Sequence, residues 1–309
     1  MVSVSVIVPI YNGEADLPEL VSCLRSQIFP RDQVEYLLVD NNSQDQTGQI
    51  LHQAVEANPQ IQLIPLSEAQ IQSSYGARNV GIRAARGEFL AFTDADCRPE
   101  PQWLSELVKP FADARVGLVA GEIVALPGSS LLEQHADRQD TLSQKHTLAH
   151  AFLPYGQTAN LGIRRSLLEQ VGLFRPYLTT GGDADLCWRV QQQTGCSLHF
   201  AEQAIVKHRH RATLKALRSQ WHRYGESNQY LHELHNVALM PGLTLGDYLY
   251  RLGRWLIKEV PPTGIKMITG QADWVDLLTT PIGLLNVQAR SQGQRQAHLP
   301  PQAREIPQL

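Results

Sequence analysis

The sequence has few cysteines and no long apolar run, and each absence excludes a class of protein. Its 309 residues contain four cysteines, none of them in a C-x-x-C pair, which argues against a disulfide framework or a zinc ribbon and fits a reducing compartment. No apolar stretch reaches roughly 18 residues, so no transmembrane helix is predicted. Met1 leads directly into a strand-like segment, so no signal peptide is expected, and the predicted location is the cytoplasm, including the inner face of the cell membrane.

A large excess of one charge is also lacking. The net charge of −3 gives no global attraction to nucleic acid, and no nucleic-acid partner is expected. The exception is local, because residues 207–223 contain six Lys or Arg and three His without any acid. A hydrophobic content of 43% with 18% charged residues fits a globular protein that buries a full core.

The first hundred residues alternate between apolar runs and helical patterns. The runs at 2–10, 35–39, 61–66 and 89–92 are typical of buried strands, and the segments between them carry apolar residues at helical spacing. This β-α-β-α-β-α-β order predicts an α/β fold with a mainly parallel central sheet flanked by helices.

The pattern changes in the last third of the chain. Residues 226–288 predict a C-terminal helical extension, with amphipathic helices at 241–260 and 273–288. The tail at 289–309 is rich in Gln, Arg and Pro and is predicted to be disordered. The amphipathic helices could contact a membrane surface peripherally, and ordinary packing or homodimer formation stays open as the alternative.

Polar side chains follow three of the four predicted strands. Tyr11 and Asn12 come after the first strand, Asp40 ends the second, and Asp94 and Asp96 come after the fourth. Ligands of such sheets bind at the carboxyl ends of the strands, so these side chains are expected to line one cleft.

Asp94 and Asp96 end an apolar run with two neighbouring carboxylates. Two such groups repel one another and lose hydration at the end of a buried strand unless a positive charge lies beside them. A divalent cation that carries a phosphate-bearing ligand would supply that charge, and Mn²⁺ and Mg²⁺ favour carboxylate and phosphate oxygens. The alternative is a solvated Asp turn that caps the next helix.

Five motifs occur in a specific order along the chain. They are Val6–Asn12, Asp40–Thr47, Gly76–Gly81, Gly87–Asp96 and Gly182–Arg189. Together they resemble the family 2 glycosyltransferases, inverting enzymes with the GT-A (nucleotide-diphospho-sugar transferase) fold. The resemblance implies a GT-A domain at 1–225, with a nucleotide-binding half at 1–99 and an acceptor and catalytic half at 100–225.

The resemblance also implies roles for residues in the first half of the chain. The implied nucleotide-binding residues are Pro9, Tyr11, Asn12, Asp40, Asn42, Arg78, Asp94 and Ala95. A carboxylate such as Asp40 suits the N–H edge of a base, and Arg78 would approach the nucleotide or hold the loop after the first strand. Asp94 and Asp96 resemble an Asp-x-Asp pair in which the second acid binds Mn²⁺ or Mg²⁺ directly and the first mainly serves the ribose.

Asp183 resembles the catalytic base of the family. It follows Gly181 and Gly182 at the predicted start of a helix, where it could take the proton of an attacking acceptor hydroxyl. The family often has Glu in the position of Gly182, which leaves Asp185 open as the base, and Asp183 is favoured. The competing interpretation of Asp183 is a helix N-cap.

The metal shell of many GT-A enzymes includes a histidine at the end of a later strand. His208 and His210 both lie at such a position, two residues apart and therefore on the same side of a strand. His208 is favoured as the ligand because it is nearer to the strand.

The expected activity is inverting transfer of a sugar from a UDP- or GDP-sugar donor to an acceptor hydroxyl. The expected acceptor is a saccharide or a lipid-linked molecule used in cell-surface polysaccharide or glycolipid synthesis. Two alternatives stay open: a metal-dependent nucleotidyltransferase, and a non-catalytic protein that binds nucleotide sugars. The first of these requires a Gly-rich, basic phosphate loop near the N-terminus, which residues 9–13 do not supply.

Overall fold

The computed structural model describes residues 2–309, which form two compact units. The first unit includes the chain through Val124, residues Leu142–His208 and residues Pro300–Leu309, and the second includes Ala125–Thr141 and Arg209–Leu299. This division differs from the predicted boundary at residue 225, because the segment from Arg209 onward belongs to the second unit.

Residues 2–309 form eight strands and twelve α-helices, and strands and helices alternate through the first four strands. The strands are β1 (Val4–Ile10), β2 (Val34–Asp40), β3 (Gln62–Ser67), β4 (Phe89–Phe92), β5 (Cys97–Pro99), β6 (Val116–Ala125), β7 (Leu161–Arg164) and β8 (Ser197–His208). The α-helices are α1 (Leu17–Arg25), α2 (Thr47–Ala57), α3 (Ser74–Ala84), α4 (Trp103–Val108), α5 (Leu131–Arg138), α6 (Gln144–Leu148), α7 (Ser166–Val171), α8 (Gly182–Thr194), α9 (Leu214–His235), α10 (Leu245–Arg254), α11 (Val260–Ile268) and α12 (Trp274–Gln296).

The strands form one sheet with the order β3-β2-β1-β4-β7-β6-β8-β5. The first four strands pair in parallel, as predicted, with β1 between β2 and β4. Every residue of β1 is buried, because the central strand of a parallel sheet is covered on both faces. The parallel register aligns Ile10 with Asp40, so the ends of β1 and β2 lie side by side.

The later strands are antiparallel where their register is defined. β7 runs antiparallel to β4 and to β6, and β5 runs antiparallel to β8. The pairing of β5 with β8 places Cys97 opposite His208. This pairing connects the segment after β4 with the end of β8, which lie more than a hundred residues apart in the sequence.

The second unit is helical, and its main contact is between α9 and α12. Two glycines permit this contact. A Cβ atom on Gly225 would lie 1.9 Å from the backbone oxygen of Arg290, and one on Gly293 would lie 2.0 Å from that of His222. The two backbones approach too closely for any larger residue at either position.

The C-terminal tail is ordered, contrary to the disorder predicted from residue 289. Helix α12 continues to Gln296, because Gln and Arg are good helix formers and small residues such as Ala289 and Gly293 fit against α9. Residues 300–309 then pack within the first unit. The side chain of Ala303 is fully buried, and the backbone N–H of Leu173 donates to the carbonyl of Pro307 at 2.8 Å.

Candidate active site

The loops that follow β1 and β2 are hydrogen-bonded to each other. The backbone N–H of Asn12 donates to Ser43 Oγ at 2.9 Å, and Asn12 Oδ1 accepts from the backbone N–H of Gln44 at 2.8 Å. Asn12 and Asn42 both have left-handed backbone conformations (φ of 50° and 60°), which Asn tolerates better than most residues. The two loops therefore form one structural element at the carboxyl edge of the sheet.

The predicted nucleoside-binding residues lie at this edge. Tyr11 is 55% exposed just beyond β1, whereas Pro9 is buried within the strand. Asp40 is the last residue of β2, and its Oδ1 accepts a hydrogen bond from the backbone N–H of Ser43 at 3.0 Å. The structure thus brings Tyr11, Asn12 and Asp40 together, as the strand order predicts.

The three predicted metal ligands form one cluster. The candidate ligand atoms of Asp94, Asp96, Cys97 and His208 all lie within 4.8 Å of one another. Asp96 Oδ1 is 3.4 Å from His208 Nε2. The pairing of β5 with β8 creates this proximity, because it places the residue after Asp96 opposite His208. His210, the alternative ligand, belongs to the second unit.

The chemistry of this cluster fits a hard or borderline divalent cation. Burial, and then the charges of Asp94 and Asp96, raise the pKa of the Cys97 thiol well above its ordinary value. The thiol therefore stays protonated and is a poor ligand. Two carboxylates and one imidazole remain, and Mn²⁺ accepts such a donor set.

Arg78 on α3 contacts Asp94. Its Nη2 lies 2.6 Å from Asp94 Oδ1, and its guanidinium lies over the ring of Tyr75, 5.5 Å from the ring centroid. The ion-pair partner of Arg78 is thus Asp94 rather than the loop after β1, and its contact with the nucleotide stays a prediction. Its buried Nε has no hydrogen-bond partner among the described residues, so part of the hydrogen-bonding capacity of Arg78 is unused.

The two acids at the start of α8 have different surroundings. Asp183 is partly exposed, and it accepts hydrogen bonds from the backbone N–H of Thr158 at 3.2 Å and from its hydroxyl at 3.1 Å. Asp185 is fully buried and lies 3.0 Å from the guanidinium groups of both Arg175 and Arg189. Asp185 thus belongs to a buried ion-pair network, whereas Asp183 is the partly exposed acid of the pair.

Although Asp183 is partly exposed, loss of hydration at its carboxyl is the main influence on its pKa. Loss of hydration raises the pKa of its carboxyl, although the charge of Arg78 and the hydrogen bonds from Thr158 act in the opposite direction. The charge of Asp94 also raises this pKa. Asp183 is therefore close enough to Arg78 and Asp94 for both charges to act on it.

Tyr75 is a site residue that the sequence did not indicate. Its hydroxyl accepts the backbone N–H of Gly182 at 3.0 Å, and a Cβ atom at Gly182 would lie 2.7 Å from Tyr75 Cζ. The ring thus fills the space that a side chain at position 182 would occupy. The only signal in the sequence was the glycine before Asp183.

Thr158 is a second residue that sequence reasoning missed. It begins a short 3-10 helix that ends at Asn160, a fully buried residue. Asn160 accepts from Trp103 Nε1 at 2.7 Å and donates to the carbonyls of Glu122 and Ala204. This network fixes the segment that holds Asp183.

Comparison with known proteins identifies the family. The profile of "Glycosyl transferase family 2" matches residues 5–172, more than half of the chain, and that of "Glycosyl transferase family group 2" matches residues 89–279. Glycosyltransferase AglE of Haloferax volcanii is 33% identical over 237 residues, which cover 76% of each chain. The chain belongs to glycosyl transferase family 2. It is therefore a glycosyltransferase.

A second relative of this family 2 enzyme is longer than the chain itself. The pre-mycofactocin glycosyltransferase of Mycobacterium tuberculosis is 28% identical over 262 residues, which cover 83% of this chain and 53% of that protein. The chain thus spans about half the length of that relative.

Solved structures show that the fold is GT-A, as predicted. The mannosyltransferase PcManGT from Pyrobaculum calidifontis, in complex with GDP-Man and Mn²⁺, has a TM-score of 0.64 at 20% identity and covers 95% of this chain and 87% of its own. S. aureus TarS 1–349 in complex with UDP-GlcNAc has a TM-score of 0.53 at 18% identity and covers 95% of this chain and 90% of its own. At these identities the similarity concerns the fold alone.

Proposed function

We propose that this glycosyltransferase moves a sugar, with inversion, from a nucleoside diphosphate donor to an acceptor hydroxyl, and that Asp183 is the base. One observation carries the proposal. Asp183 is the partly exposed acid of the pair on α8, and it lies close enough to Arg78 and Asp94 for both to act on its pKa. A base candidate and a cation site are thus neighbours in the same unit.

The loops after β1 and β2 would bind the nucleoside. The carboxylate of Asp40 can accept N–H groups from the edge of a base, and the exposed ring of Tyr11 offers an apolar surface beside it. Pro9, Asn12, Asn42 and Ala95 would complete this nucleoside-binding site. Structures with this fold have been solved with GDP-Man and with UDP-GlcNAc, which supports a UDP- or GDP-sugar as donor.

Asp94, Asp96 and His208 would hold Mn²⁺ or Mg²⁺. When bound, such a cation neutralises the charge that develops on the departing diphosphate. The complex of PcManGT contains Mn²⁺, which supports this assignment of the ion. Arg78 can exchange its contact with Asp94 for one with a donor phosphate, since its Nε is still without a hydrogen-bond partner.

Asp183 would take the proton of the acceptor hydroxyl as that oxygen attacks the anomeric carbon. The raised pKa makes its carboxylate a stronger base than an ordinary Asp, while Thr158 fixes its orientation. The attack and the departure of the diphosphate occur on opposite faces of the sugar, so no covalent enzyme intermediate is needed. Family membership supports this reaction over nucleotidyl transfer and over non-catalytic binding.

The acceptor is proposed only as a class. The relatives are named for different acceptors, among them pre-mycofactocin and poly(ribitol phosphate). A saccharide or lipid-linked acceptor in cell-surface polysaccharide or glycolipid synthesis agrees with the range of these names.

Two variants and one binding assay test the proposal. Thermal unfolding should shift upward with UDP or GDP only when Mn²⁺ is present, because a ligand that binds the folded state stabilises it. Asp96→Ala should abolish this shift. Asp183→Asn should preserve it but reduce transfer by about 10²–10⁴-fold, the usual contribution of a general base.

Three results would contradict the proposal. Loss of nucleotide binding in Asp183→Asn would make that residue structural. Release of pyrophosphate from a nucleoside triphosphate would favour a nucleotidyltransferase. Absence of transfer and of donor hydrolysis across UDP- and GDP-sugars would favour a binding protein.

A further inference from the structure

The second unit exposes a long amphipathic segment at residues 245–268. It consists of α10, a π-helical turn (Trp255–Glu259) and α11, and no residue in it is buried. Large apolar side chains are nevertheless frequent in it, and most of them are exposed to solvent. A contiguous exposed apolar surface of this kind marks a place where another molecule binds.

Four exposed leucines of α10 and the following turn lie on one face. Leu245, Leu249, Leu252 and Leu256 follow one another at intervals of four, three and four residues, and they are 76%, 63%, 37% and 57% exposed. The neighbouring face carries Trp255, whose Nε1 donates to the carbonyl of Leu277 on α12 at 2.8 Å. The segment therefore packs on α12 along one side and leaves the leucine face uncovered.

The exposed apolar surface continues beyond these leucines. Ile257 is 76% exposed, Ile265 is 66% exposed and Ile268 is 88% exposed. Trp274, the first residue of α12, is 62% exposed. Aromatic and aliphatic residues of this size are those that enter the boundary between lipid headgroups and acyl chains.

The charges of the segment favour an anionic partner. Its four basic residues are Arg251, Arg254, Lys258 and Lys266, and its two acids are Asp247 and Glu259. Both acids are engaged locally, since Asp247 forms a capping box with Thr244 and Glu259 accepts a hydrogen bond from Thr280 at 2.6 Å. The lysines at 258 and 266 form no ion pair among the described residues and are available to anionic headgroups.

From these observations we infer that residues 245–268 bind the surface of an anionic lipid bilayer. No helix in residues 2–309 is long and apolar enough to span a membrane. A helix with a leucine face and a basic face lies in the plane of the interface, with its apolar side chains below the headgroups. Basic residues near the surface add attraction to anionic lipids and make binding sensitive to salt.

Vesicle co-sedimentation of the full chain tests this inference. The protein should bind vesicles made of equal parts phosphatidylglycerol and phosphatidylcholine more tightly than vesicles of phosphatidylcholine alone. The double variant Leu249→Asp/Ile257→Asp should bind the anionic vesicles roughly tenfold more weakly or worse, because two charged groups replace apolar ones at the interface. Both side chains are exposed, so circular dichroism should show an unchanged fold.

Two further variants separate apolar from electrostatic contributions. Ile28→Asp changes an isoleucine that is 64% exposed in the first unit, and it should bind vesicles as the unaltered protein does. Lys258→Gln/Lys266→Gln should lose most of the preference for anionic over neutral vesicles, and its binding should depend less on salt.

The outcomes that would overturn the inference are distinct. Unchanged vesicle binding by Leu249→Asp/Ile257→Asp, or an equal loss in Ile28→Asp, would show that this face is not the lipid contact. Absence of binding to anionic vesicles would do the same. Light scattering that detects a dimer, dissolved by Leu249→Asp/Ile257→Asp, would identify a second copy of the chain as the partner instead.

Discussion

Asp183 and Asp185 lie two residues apart on α8, yet the protein uses their carboxylates in opposite ways. Asp185 is fully buried between two guanidinium groups, so its charge is neutralised and required by the fold. The pKa of Asp183 is raised by burial, so its charge is held in the folded state at a cost in stability. Ionised groups whose burial lowers the stability of the folded protein are typical of functional sites.

This contrast predicts opposite effects of the same substitution at the two positions. Because the pKa of Asp183 is raised in the folded state, its protonated carboxyl stabilises the folded protein at low pH. This stabilisation is lost as the pH rises through the folded-state pKa. Asp183→Asn removes the cost of the ionised group and should therefore raise the stability of the metal-free protein at neutral pH. Asp185→Asn leaves two buried guanidinium groups without their charged partner and should cost about 3 kcal/mol or more.

Urea unfolding without metal checks both effects, and each variant serves as the control for the other. The gain from Asp183→Asn should shrink as the pH falls through the raised pKa of Asp183, because the unaltered carboxyl is then protonated in the folded protein. A loss of stability in Asp183→Asn comparable to that in Asp185→Asn would contradict the distinction between the two acids.

Residues that follow strands could be predicted, because strand order alone brings them to one edge. Tyr11, Asn12, Asp40, Asp94 and Asp96 meet in this way. Tyr75 and Thr158 could not be predicted. Tyr75 lies 107 residues before its partner Gly182, and Thr158 lies 25 residues before Asp183, so both contacts depend on tertiary packing that no local pattern encodes.

At the scale of the element, glycine spacing determines how α9 and α12 pack. Gly225 and Gly293 each face a backbone oxygen of the opposite helix, and a Cβ atom there would lie at 2.0 Å or less. Gly283 lies in the same helix as Gly293, but a Cβ atom on it would meet nothing within 4 Å. One helix thus contains a glycine required by packing and a glycine without that constraint.

Alanine substitutions should separate these two glycines. Gly293→Ala should destabilise the protein by about 1–3 kcal/mol, because the methyl group meets a backbone atom that cannot move without separating the helices. Gly283→Ala should be neutral or stabilising by up to about 1 kcal/mol, since Ala favours the helix. Urea or thermal unfolding of both variants measures the difference. Equal effects at the two positions would show that the helices can separate at little cost.

Helix α12 is ordered up to Gln296, which shows that composition alone does not predict disorder. Residues 289–296 are polar enough to predict disorder, but their small side chains lie on the face that packs against α9. Disorder follows from polarity only where no partner surface is present. Local sequence patterns indicate both helices, but the packing of one against the other is seen only in the structure.

At the scale of the whole molecule, the chain leaves the first unit at Arg209 and returns to it at Pro300. The returning segment, residues 300–309, packs against the turn after α7. Gly172 adopts a φ of 76°, and a Cβ atom there would lie 2.4 Å from the side chain of Ile306, so only glycine fits. Arg175 donates through Nη1 to the carbonyls of Ala303 and Arg304 and through Nε to Asp185.

Removal of residues 300–309 should therefore weaken the first unit, although the segment contains none of the proposed catalytic residues. Arg175 would lose two carbonyl acceptors while staying paired with Asp185, and the N–H of Leu173 would lose its acceptor on Pro307. Each lost partner of a buried polar group costs about 1–3 kcal/mol. Hydrogen exchange should report the change locally, as lost protection of the Leu173 amide, and thermal unfolding should report it globally. Removal of residues 308–309 alone retains these contacts and should leave both measurements close to those of the full chain. Equal protection of Leu173 in the two truncated proteins would show that the returning segment contributes nothing to the turn it covers.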